Sequence, residues 1–571
     1  ALLETARALR AGAALEQSVL LLFTDAEEDG MLGAGAFVDS DPSFANVRVL
    51  LNFEARGSHG PSALFETSPD NGALIEAFAR AVPQPVGNSF VASLARILPN
   101  DTDATIFRMR RTPLLNFAFA DGLQNYHHAS DSIHAIDYRS VQHHGEYALA
   151  LTRQLASQPL ANLSAQDVVF FDVLGRLVVR YPLSAARWLG LVLAVVFVLL
   201  WTYARRQLGA TAAGAWRAAR STLLAGLAAI GGALSLHVLL AQLMPPIALV
   251  AEAKLLSLAC IATALVPWLW LFSRGSRDTG EIDVALGSLL PLAITAVVLS
   301  WLTPGMSYVF VWPLMFGAAA LFAAGGLTAR CARDLVLTLG ALPGVVIGAI
   351  ATYTLVVLVG GELPVVVVVF FVAFLAAWVP LLAGVPARAL RWASGVAGAL
   401  AVACCALVIA RAGDHGARAW AATPLVYAAD AASRGARFYR DAEQLGSQLN
   451  AADLEVGPVA FASFLTEPVL QRKAPFIELP ATHVEATAES REGTRRRLAL
   501  HVRPAPGARC VLLWNETGRR IVTRSVDGTR VRALPRFSPE WDKRLWRLAR
   551  AAPSGDPWNL RYCAVAAEGF E

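Results

Sequence analysis

Residues 184–411 form a series of long apolar runs with few charges. A helix needs about 20 predominantly apolar residues to cross the hydrocarbon core of a bilayer. Eight stretches are long enough, and they centre on Trp188–Tyr203, Leu223–Leu243, Leu255–Phe272, Val284–Leu302, Tyr308–Ala324, Leu335–Val359, Leu363–Leu382 and Trp392–Ala410. Pro313 and Pro343 interrupt the fifth and sixth, which membrane helices tolerate. The sequence therefore predicts an α-helical transmembrane bundle of about eight helices, with the lipid bilayer as a partner.

Arginines occur in alternate loops of this region. The loops after the odd-numbered spans hold Arg205, Arg206, Arg217, Arg220, Arg274, Arg277, Arg330, Arg333, Arg388 and Arg391. The intervening loops have almost no basic residues, Lys254 being the exception. Because positive loops stay in the cytoplasm, we expect an integral multi-pass protein whose flanking regions are both extracytoplasmic, in a periplasm or lumen. The net charge of +5 thus indicates membrane topology, and no nucleic-acid partner is expected.

The overall composition agrees with a mixed organisation. The 571 residues are 55% hydrophobic, with a mean hydropathy of +0.48, which is too apolar for an ordinary soluble protein. The two flanking regions have globular composition. We therefore predict three domains: 1–165, an α/β domain with a mostly parallel sheet; 184–411, the transmembrane domain; and 412–571, a β-rich extracytoplasmic domain.

A cluster of carboxylates follows an apolar run near the start of the chain. The run Val19–Phe23 reads as a strand buried on both faces, and it leads into Asp25, Glu27 and Glu28. Gly30 and Gly33 then allow the chain to turn into a helix. Because open α/β sheets place their sites beyond the carboxyl ends of strands, we expect catalytic or metal-binding acids here. A solvated helix start rich in acids is the ordinary alternative.

Three further stretches repeat this arrangement of an apolar segment followed by polar groups. Glu54 follows the run Val47–Phe53, and the loop Leu98–Asp103 holds two acids that an Asx-turn would also explain. The run Leu114–Ala120 leads to the motif Asn125–Ser132, which contains the adjacent pair His127 and His128. A loop histidine can bind zinc through an imidazole nitrogen. Acids and a histidine at several strand ends favour one site built across the sheet.

Four motifs in order resemble the M28 family of zinc peptidases, and most closely its membrane-anchored branch, the vacuolar and endoplasmic-reticulum membrane metallopeptidases. These motifs are FTDAEEDGMLGA (23–34), NFEARGSHGPSALFET (52–67), LPNDTD (98–103) and NYHHASDS (125–132). The resemblance is strong over roughly residues 1–160. It implies a zinc-aminopeptidase-like fold for the first domain and a peptide as substrate.

The resemblance also implies roles for individual residues. Glu27 resembles the general base, Glu28 a ligand of the first zinc, Glu54 a ligand of the second, and His127 another ligand of the first. Two zinc ions that share a water lower its pKa and polarise the substrate carbonyl. The implied function is a membrane-anchored, metal-dependent exopeptidase, most closely an aminopeptidase, with two zinc ions per full-length chain.

The sequence departs from the family pattern at its start. The family also has an upstream His-x-Asp and a bridging Asp, whereas here no His precedes His59 and no Asp precedes Asp25. We interpret this as an N-terminal truncation and expect the chain by itself to be inactive. A degenerate peptidase domain on a membrane scaffold or transport-like protein is the alternative, and a glutaminyl cyclase with one zinc is a third reading. The few ionisable residues within the spans, such as His237 and Glu252, are interpreted as structural.

The region after residue 412 has short strand patterns between turn signals, at Arg497–Val502, Cys510–Trp514 and Leu560–Val565. They predict a small β-sandwich-like domain. No CxxC spacing occurs among the six cysteines, which argues against a cysteine zinc site. Whether Cys510 and Cys563 pair stays open, as does the oligomeric state.

Overall fold

A computed structural model describes residues 1–25, 27–28, 30–96, 101–126, 130–157, 159–160, 163–244 and 246–422. Beyond these it describes 426–430, 434–441, 455–457, 469–480, 482–492, 495–503, 510–515, 520–526, 529–530, 546–551 and 558–565. His127, one of the predicted zinc ligands, lies outside the described residues.

The region before the bundle alternates helices with short strands. Its helices are α1 (Leu2–Arg10), α2 (Leu32–Ser40), α3 (Gly72–Ala81), α4 (Ser89–Ala95), α5 (Asp103–Met109) and α6 (Tyr138–Ala156). Its strands are β1 (Leu50–Ala55), β2 (Ala63–Thr67), β3 (Leu114–Phe119), β4 (Val168–Val173) and β5 (Leu177–Pro182). Strands β1 and β3 lie where the apolar runs Val47–Phe53 and Leu114–Ala120 predicted them.

The sheet that carries these runs is small. Its strand order is β1-β3-β2, with β1 parallel and β2 antiparallel to β3. The connection from β1 to β3 includes α3, α4 and α5. It is long enough for the crossover that a parallel pair of strands needs. A mostly parallel sheet is therefore not confirmed, because one of the two strand pairs is antiparallel.

The predicted strand Val19–Phe23 is wrong. This segment is extended coil with no ladder to the described strands, and Leu20 and Phe23 are 55% and 61% exposed. A strand buried on both faces needs neighbouring strands and covering layers. Here only Leu22 packs against an apolar cluster, which includes Met31 and Phe107.

Strand β3 forms the centre of this region. Leu114, Leu115 and Phe117 are fully buried, as expected for a middle strand covered on both faces. One apolar cluster joins Phe117 to α3 and to Tyr147 of α6. The carboxyl end of β3, beyond Phe119, thereby lies beside the carboxyl end of β1.

The bundle contains eight described helices long and apolar enough to cross a membrane. They are α7 (Leu183–Gln207), α8 (Ala212–Leu243), α10 (Ala253–Gly275), α11 (Glu281–Leu302), α12 (Pro304–Gly325), α13 (Arg330–Val359), α14 (Pro364–Leu382) and the part Ala387–Ala412 of α15 (Ala387–Ala422). A short helix, α9 (Pro246–Ala251), precedes α10. The predicted bundle of eight spans is confirmed, and the chain is an integral membrane protein.

The bundle and the region before it share one apolar core. Phe171 of β4 stacks on Tyr308 of α12, with ring centroids 4.5 Å apart and planes within 2°. The ring centroids of Phe90 of α4 and Phe370 of α14 lie 5.1 Å apart. The Ser89 hydroxyl donates to the Gly305 carbonyl at 2.7 Å. The globular region is therefore packed directly onto the membrane helices.

The region after the bundle is rich in antiparallel strands. They are β6 (Val426–Asp430), β7 (Gly435–Asp441), β8 (Glu455–Gly457), β9 (Val469–Ala474), β10 (His483–Glu492), β11 (Arg495–Arg503), β12 (Cys510–Asn515), β13 (Arg520–Val526), β14 (Thr529–Arg530), β15 (Trp546–Ala551) and β16 (Trp558–Val565). They form sheets β6-β7-β9-β8, β10-β11-β16-β13-β14 and β12-β15. The sandwich packing and the three domain limits stay predictions, and the side chains of Cys510 and Cys563 lie outside the described part.

Candidate metal centre

Two glycines shape the backbone around the first carboxylate pair. Gly30 has φ +106°, a value that glycine adopts without strain, and its amide donates to the Glu27 carbonyl at 2.9 Å. A Cβ on Gly33 would lie 2.6 Å from the Asp25 carbonyl oxygen, so only glycine fits there. The predicted turn into a helix is confirmed, since α2 begins at Leu32.

The carboxylates of Glu27, Glu28 and Glu54 come together although Glu54 arrives from β1. Burial, and then the negative charges of Glu28 and Glu54, raise the pKa of Glu27 from 4.5 to about 7. Glu27 thus has the environment expected for a general base that works near neutral pH, since burial and like charges are what raise a carboxyl pKa.

Buried hydrogen bonds orient Glu54. The amide of Asn52 donates to Glu54 Oε1 at 2.8 Å and to Asn116 Oδ1 at 3.0 Å. Asn116, fully buried on β3, donates in turn to Glu66 Oε2 at 3.0 Å. Burial raises the pKa of Glu54, and the bond from Asn52 opposes this shift. Two paired strands therefore hold the Glu54 carboxylate through side-chain amides.

His144 of α6 supports the backbone of the same residue. Its Nε2 donates to the Glu54 carbonyl at 2.9 Å, and its Nδ1 lies 2.6 Å from the Ser62 hydroxyl. Burial lowers the pKa of His144 to about 4, so the imidazole is neutral at pH 7. With Nε2–H donating, Nδ1 accepts from Ser62, which makes His144 a positioning residue for Glu54.

The loop before α5 adds two more acids. Asp101 lies close enough to raise the pKa of Glu27, and burial raises the pKa of Asp103. Asp103 Oδ2 accepts a hydrogen bond from the Thr24 hydroxyl. Asp103 Oδ1 is buried without a hydrogen-bond partner among the described residues. Such an orphaned carboxylate oxygen is costly unless a cation or proton satisfies it.

These observations test whether the site suits a divalent metal. The cluster supplies carboxylate oxygens that repel one another, and a bound cation would relieve that repulsion. No three His, Cys, Asp or Glu side chains of the described segments, which exclude His127, converge into a finished coordination geometry. The donor chemistry therefore fits a metal, while the complete ligand shell is not contained in the described part.

A cavity of about 630 Å³ adjoins the carboxylates. Its lining includes Glu27, Glu28, Glu54, Asp101 and Tyr126. The membrane helix α13 contributes another part of the lining, formed by Ala349, Ile350, Tyr353, Thr354, Val357 and Leu358. The volume is typical of a pocket for a small ligand, and both the globular region and the bundle enclose it.

Polar contacts fasten these two walls to each other. Asp121, which follows β3, accepts from the Tyr353 hydroxyl at 2.7 Å and pairs with Lys254 Nζ at 2.9 Å. The Arg56 guanidinium, two residues after Glu54, donates to the Leu358 carbonyl at 3.4 Å. The carboxyl ends of β1 and β3 are thus tied to the membrane helices.

Sequence reasoning did not identify several residues of this site. Asn116 has the weak signal of being polar within the apolar run Leu114–Ala120, whereas His144 lies among other polar residues of α6 and carries no signal. Tyr353 and Thr354 interrupt the apolar run of α13, which is a weak signal for a face that meets something other than lipid. The predicted residues Glu27, Glu28 and Glu54 do share one cavity, whereas the place of His127 stays a prediction.

Residues 1–152 match the model of Peptidase family M28. Endoplasmic reticulum metallopeptidase 1 of Rattus norvegicus is 32% identical over 175 residues, covering 29% of this chain and 20% of that protein. Its Homo sapiens counterpart is 31% identical over 189 residues, covering 32% of this chain and 21% of that protein.

A yeast relative extends the same pattern. The vacuolar membrane protease of Saccharomyces cerevisiae is 28% identical over 163 residues, covering 28% of this chain and 16% of that protein. The chain thus matches about a fifth of the length of its curated relatives, and no solved structure matches it significantly. As the four motifs predicted, the first 152 residues resemble peptidase family M28, and the relatives are its membrane-anchored metallopeptidases.

Proposed function

We propose that this chain belongs to a membrane-anchored, zinc-dependent peptidase that removes residues from the amino end of peptides. The observation that carries the proposal is that Glu27, Glu28 and Glu54 come together on the lining of a cavity of about 630 Å³, where partial burial and the neighbouring negative charges raise the pKa of Glu27 to about 7. The resemblance to metallopeptidases over residues 1–152 supports it.

Each site residue has a distinct task in this proposal. Glu28, Glu54 and His127 would contribute ligands to two zinc ions. When bound, the zinc supplies Lewis acidity that activates a water and polarises the peptide carbonyl. Glu27 would accept the proton of that water and pass it to the leaving amine, because a carboxylate that lines the same cavity can act first as base and then as acid. Asn52 and His144 keep Glu54 in place.

We place the site outside the cytoplasm. The arginines near alternate loops, among them Arg205 in the last turn of α7 and Arg274 in the last turn of α10, favour a cytoplasmic location for those ends of the helices. The site adjoins the opposite end of α13, near Leu358. The peptidase region and the β-rich region after the bundle are then both in a periplasm or lumen.

The test is peptide hydrolysis by the purified natural full-length protein in lipid nanodiscs. We expect zinc-dependent release of free amino acids from the amino end, abolished by chelation and by Glu28→Ala. The exposed Glu16, changed to Gln, is the matched control. Cleavage only inside the peptide would contradict the exopeptidase assignment, and a cyclised amino terminus would indicate a glutaminyl cyclase. No turnover of any peptide would favour a non-catalytic scaffold.

A further inference from the structure

We propose that membrane helix α13 forms the specificity wall of the substrate pocket, which accepts an apolar side chain next to the bond that is cut. The proposal deepens the peptidase function above and rests on it. It starts from the cavity that the carboxylates share with Ile350, Tyr353 and Val357, because the same space that reaches the reacting groups is bounded by a membrane helix.

The residues of α13 that meet the cavity are evenly spaced. They are Ala349, Ile350, Tyr353, Thr354, Val357 and Leu358. Steps of four residues keep side chains on one face of a helix, and this face covers roughly 14 Å at a rise of 1.5 Å per residue. Ala351, Leu355 and Val356 are buried and pack into the bundle core with Tyr308. Helix α13 therefore has separate faces for the bundle and for the cavity.

The chemistry of the lining selects the occupant. The cavity is acidic where Glu27, Glu28 and Glu54 line it, and apolar where Ile350 and Val357 line it. A lipid acyl chain would match the second part and place apolar groups against the carboxylates, which is unfavourable. A peptide with an apolar residue beside its reacting bond matches both parts.

The wall has a fixed position relative to the carboxylates. Tyr353 donates to Asp121 at 2.7 Å, and the backbone of Leu358 accepts from Arg56 at 3.4 Å. Both partners directly follow strands of the sheet, β3 and β1. A substrate side chain seated on α13 is thus held at a defined distance from Glu54, as orientation of a reacting bond requires.

The test is binding, so that it does not depend on turnover. The protein is placed in phosphatidylcholine nanodiscs without added metal and titrated with carboxyl-labelled pentapeptides that begin with Phe or Ala, read by fluorescence anisotropy. Val357→Trp fills the apolar part of the cavity. Leu342→Trp places the same side chain on α13 at a residue that is 48% exposed and outside the lining, and it serves as the matched control.

We expect the wild type to bind the Phe peptide about 10-fold more tightly than the Ala peptide. Val357→Trp should remove most of that preference by weakening the Phe peptide, and Leu342→Trp should keep it. Should Val357→Trp fail to fold, Ile350→Ala replaces it, with an expected loss of about 10-fold for the Phe peptide alone. An equal affinity for both peptides, or a preference that these variants leave unchanged, would overturn the proposal.

Hydrolysis measured on the same proteins separates the two proposals. A Val357-dependent preference in binding without hydrolysis by the zinc-loaded full-length protein would overturn the peptidase function and support the apolar pocket. Hydrolysis with equal rates for Phe and Ala substrates in every variant would support the peptidase function and overturn the role of α13.

Discussion

The globular region before residue 183 and the helical bundle after it contribute different chemistry to the same cavity. The globular region supplies acids on loops and strand ends, such as Glu27 and Glu54, whose carboxylates lie within a buried polar environment. The bundle supplies one face of α13, whose members include Ile350 and Val357. Reaction chemistry should therefore depend on the first region, and the choice of substrate on the second.

The contact between the two regions is also of two kinds. Near α4 and β4 it is an apolar core, in which Phe171 stacks on Tyr308. Near the carboxylates it is polar, with Asp121 bound to Tyr353 and Lys254. Apolar packing gives most of the stability of a buried contact, whereas directional bonds set geometry. The comparison suggests that stability and alignment of the site can be changed separately.

Loss of Glu27, the proposed general base, should give the largest effect on activity. Glu27→Gln keeps the shape of the side chain and removes its ability to accept a proton, so we expect kcat of the full-length protein to fall by about 10²- to 10⁴-fold with KM little changed. Steady-state hydrolysis of an apolar peptide measures this, and Glu16→Gln on the exposed surface is the control. A fall in kcat of less than tenfold would contradict the claim that the globular region supplies the reacting groups.

The apolar contact should give the next largest effect. Phe171 is 6% exposed, and Phe171→Ala should lower the free energy of unfolding of the globular region by about 3–5 kcal/mol. Thermal unfolding in nanodiscs measures it, with Phe316→Ala on α12, where Phe316 is 43% exposed, as the control. Equally small shifts of the unfolding temperature in both variants would mean that the shared apolar core does not hold the two regions together.

Loss of the polar contacts of Asp121 should lower the free energy of unfolding by less, and by different amounts for its two partners. Tyr353→Phe removes a hydrogen bond to a carboxylate that is 8% exposed, at a cost of about 1.5–3 kcal/mol. Lys254→Met should cost less than about 1 kcal/mol, because the Lys254 side chain is 56% exposed. Thermal unfolding of both variants gives the comparison, and a larger effect at Lys254 would contradict it.

The smallest effect should appear in the pH dependence of stability. Burial raises the pKa of Asp172, although the amides of Gly87 and Gly175 donate to it at 3.2 and 3.1 Å. Between its unfolded pKa and its raised folded pKa, the folded state binds more protons. Stability should therefore fall as the pH rises through this interval.

Asp172→Asn removes the titrating group while its single side-chain oxygen can still accept from one of the two amides, Gly87 or Gly175, and it should flatten that slope. The measurement is the unfolding temperature of wild type and variant between pH 4 and pH 7. The exposed Glu146→Gln is the control and should leave the slope as it is. A wild-type stability that rises over the same interval, with no change in Asp172→Asn, would show that this buried acid is not destabilised by its environment.

The features that sequence predicted depend on local patterns. The eight spans could be predicted because length and hydropathy alone determine whether a helix can cross a bilayer, and Glu54 because an apolar strand precedes it. Val19–Phe23 failed because a strand also needs partners, which no local pattern guarantees. The pairing of Asp121 with Tyr353 joins residues 232 positions apart, and only the packed chain brings them together.

The central claim is that Glu27, Glu28 and Glu54 belong to a metal centre. Zinc content of the natural full-length protein, measured by mass spectrometry, tests it most directly. We predict about two zinc ions per chain, with a clear loss in Glu28→Ala and His127→Ala and full retention in Glu16→Ala. A protein that binds essentially no zinc, or binds it equally in all three variants, would contradict the account.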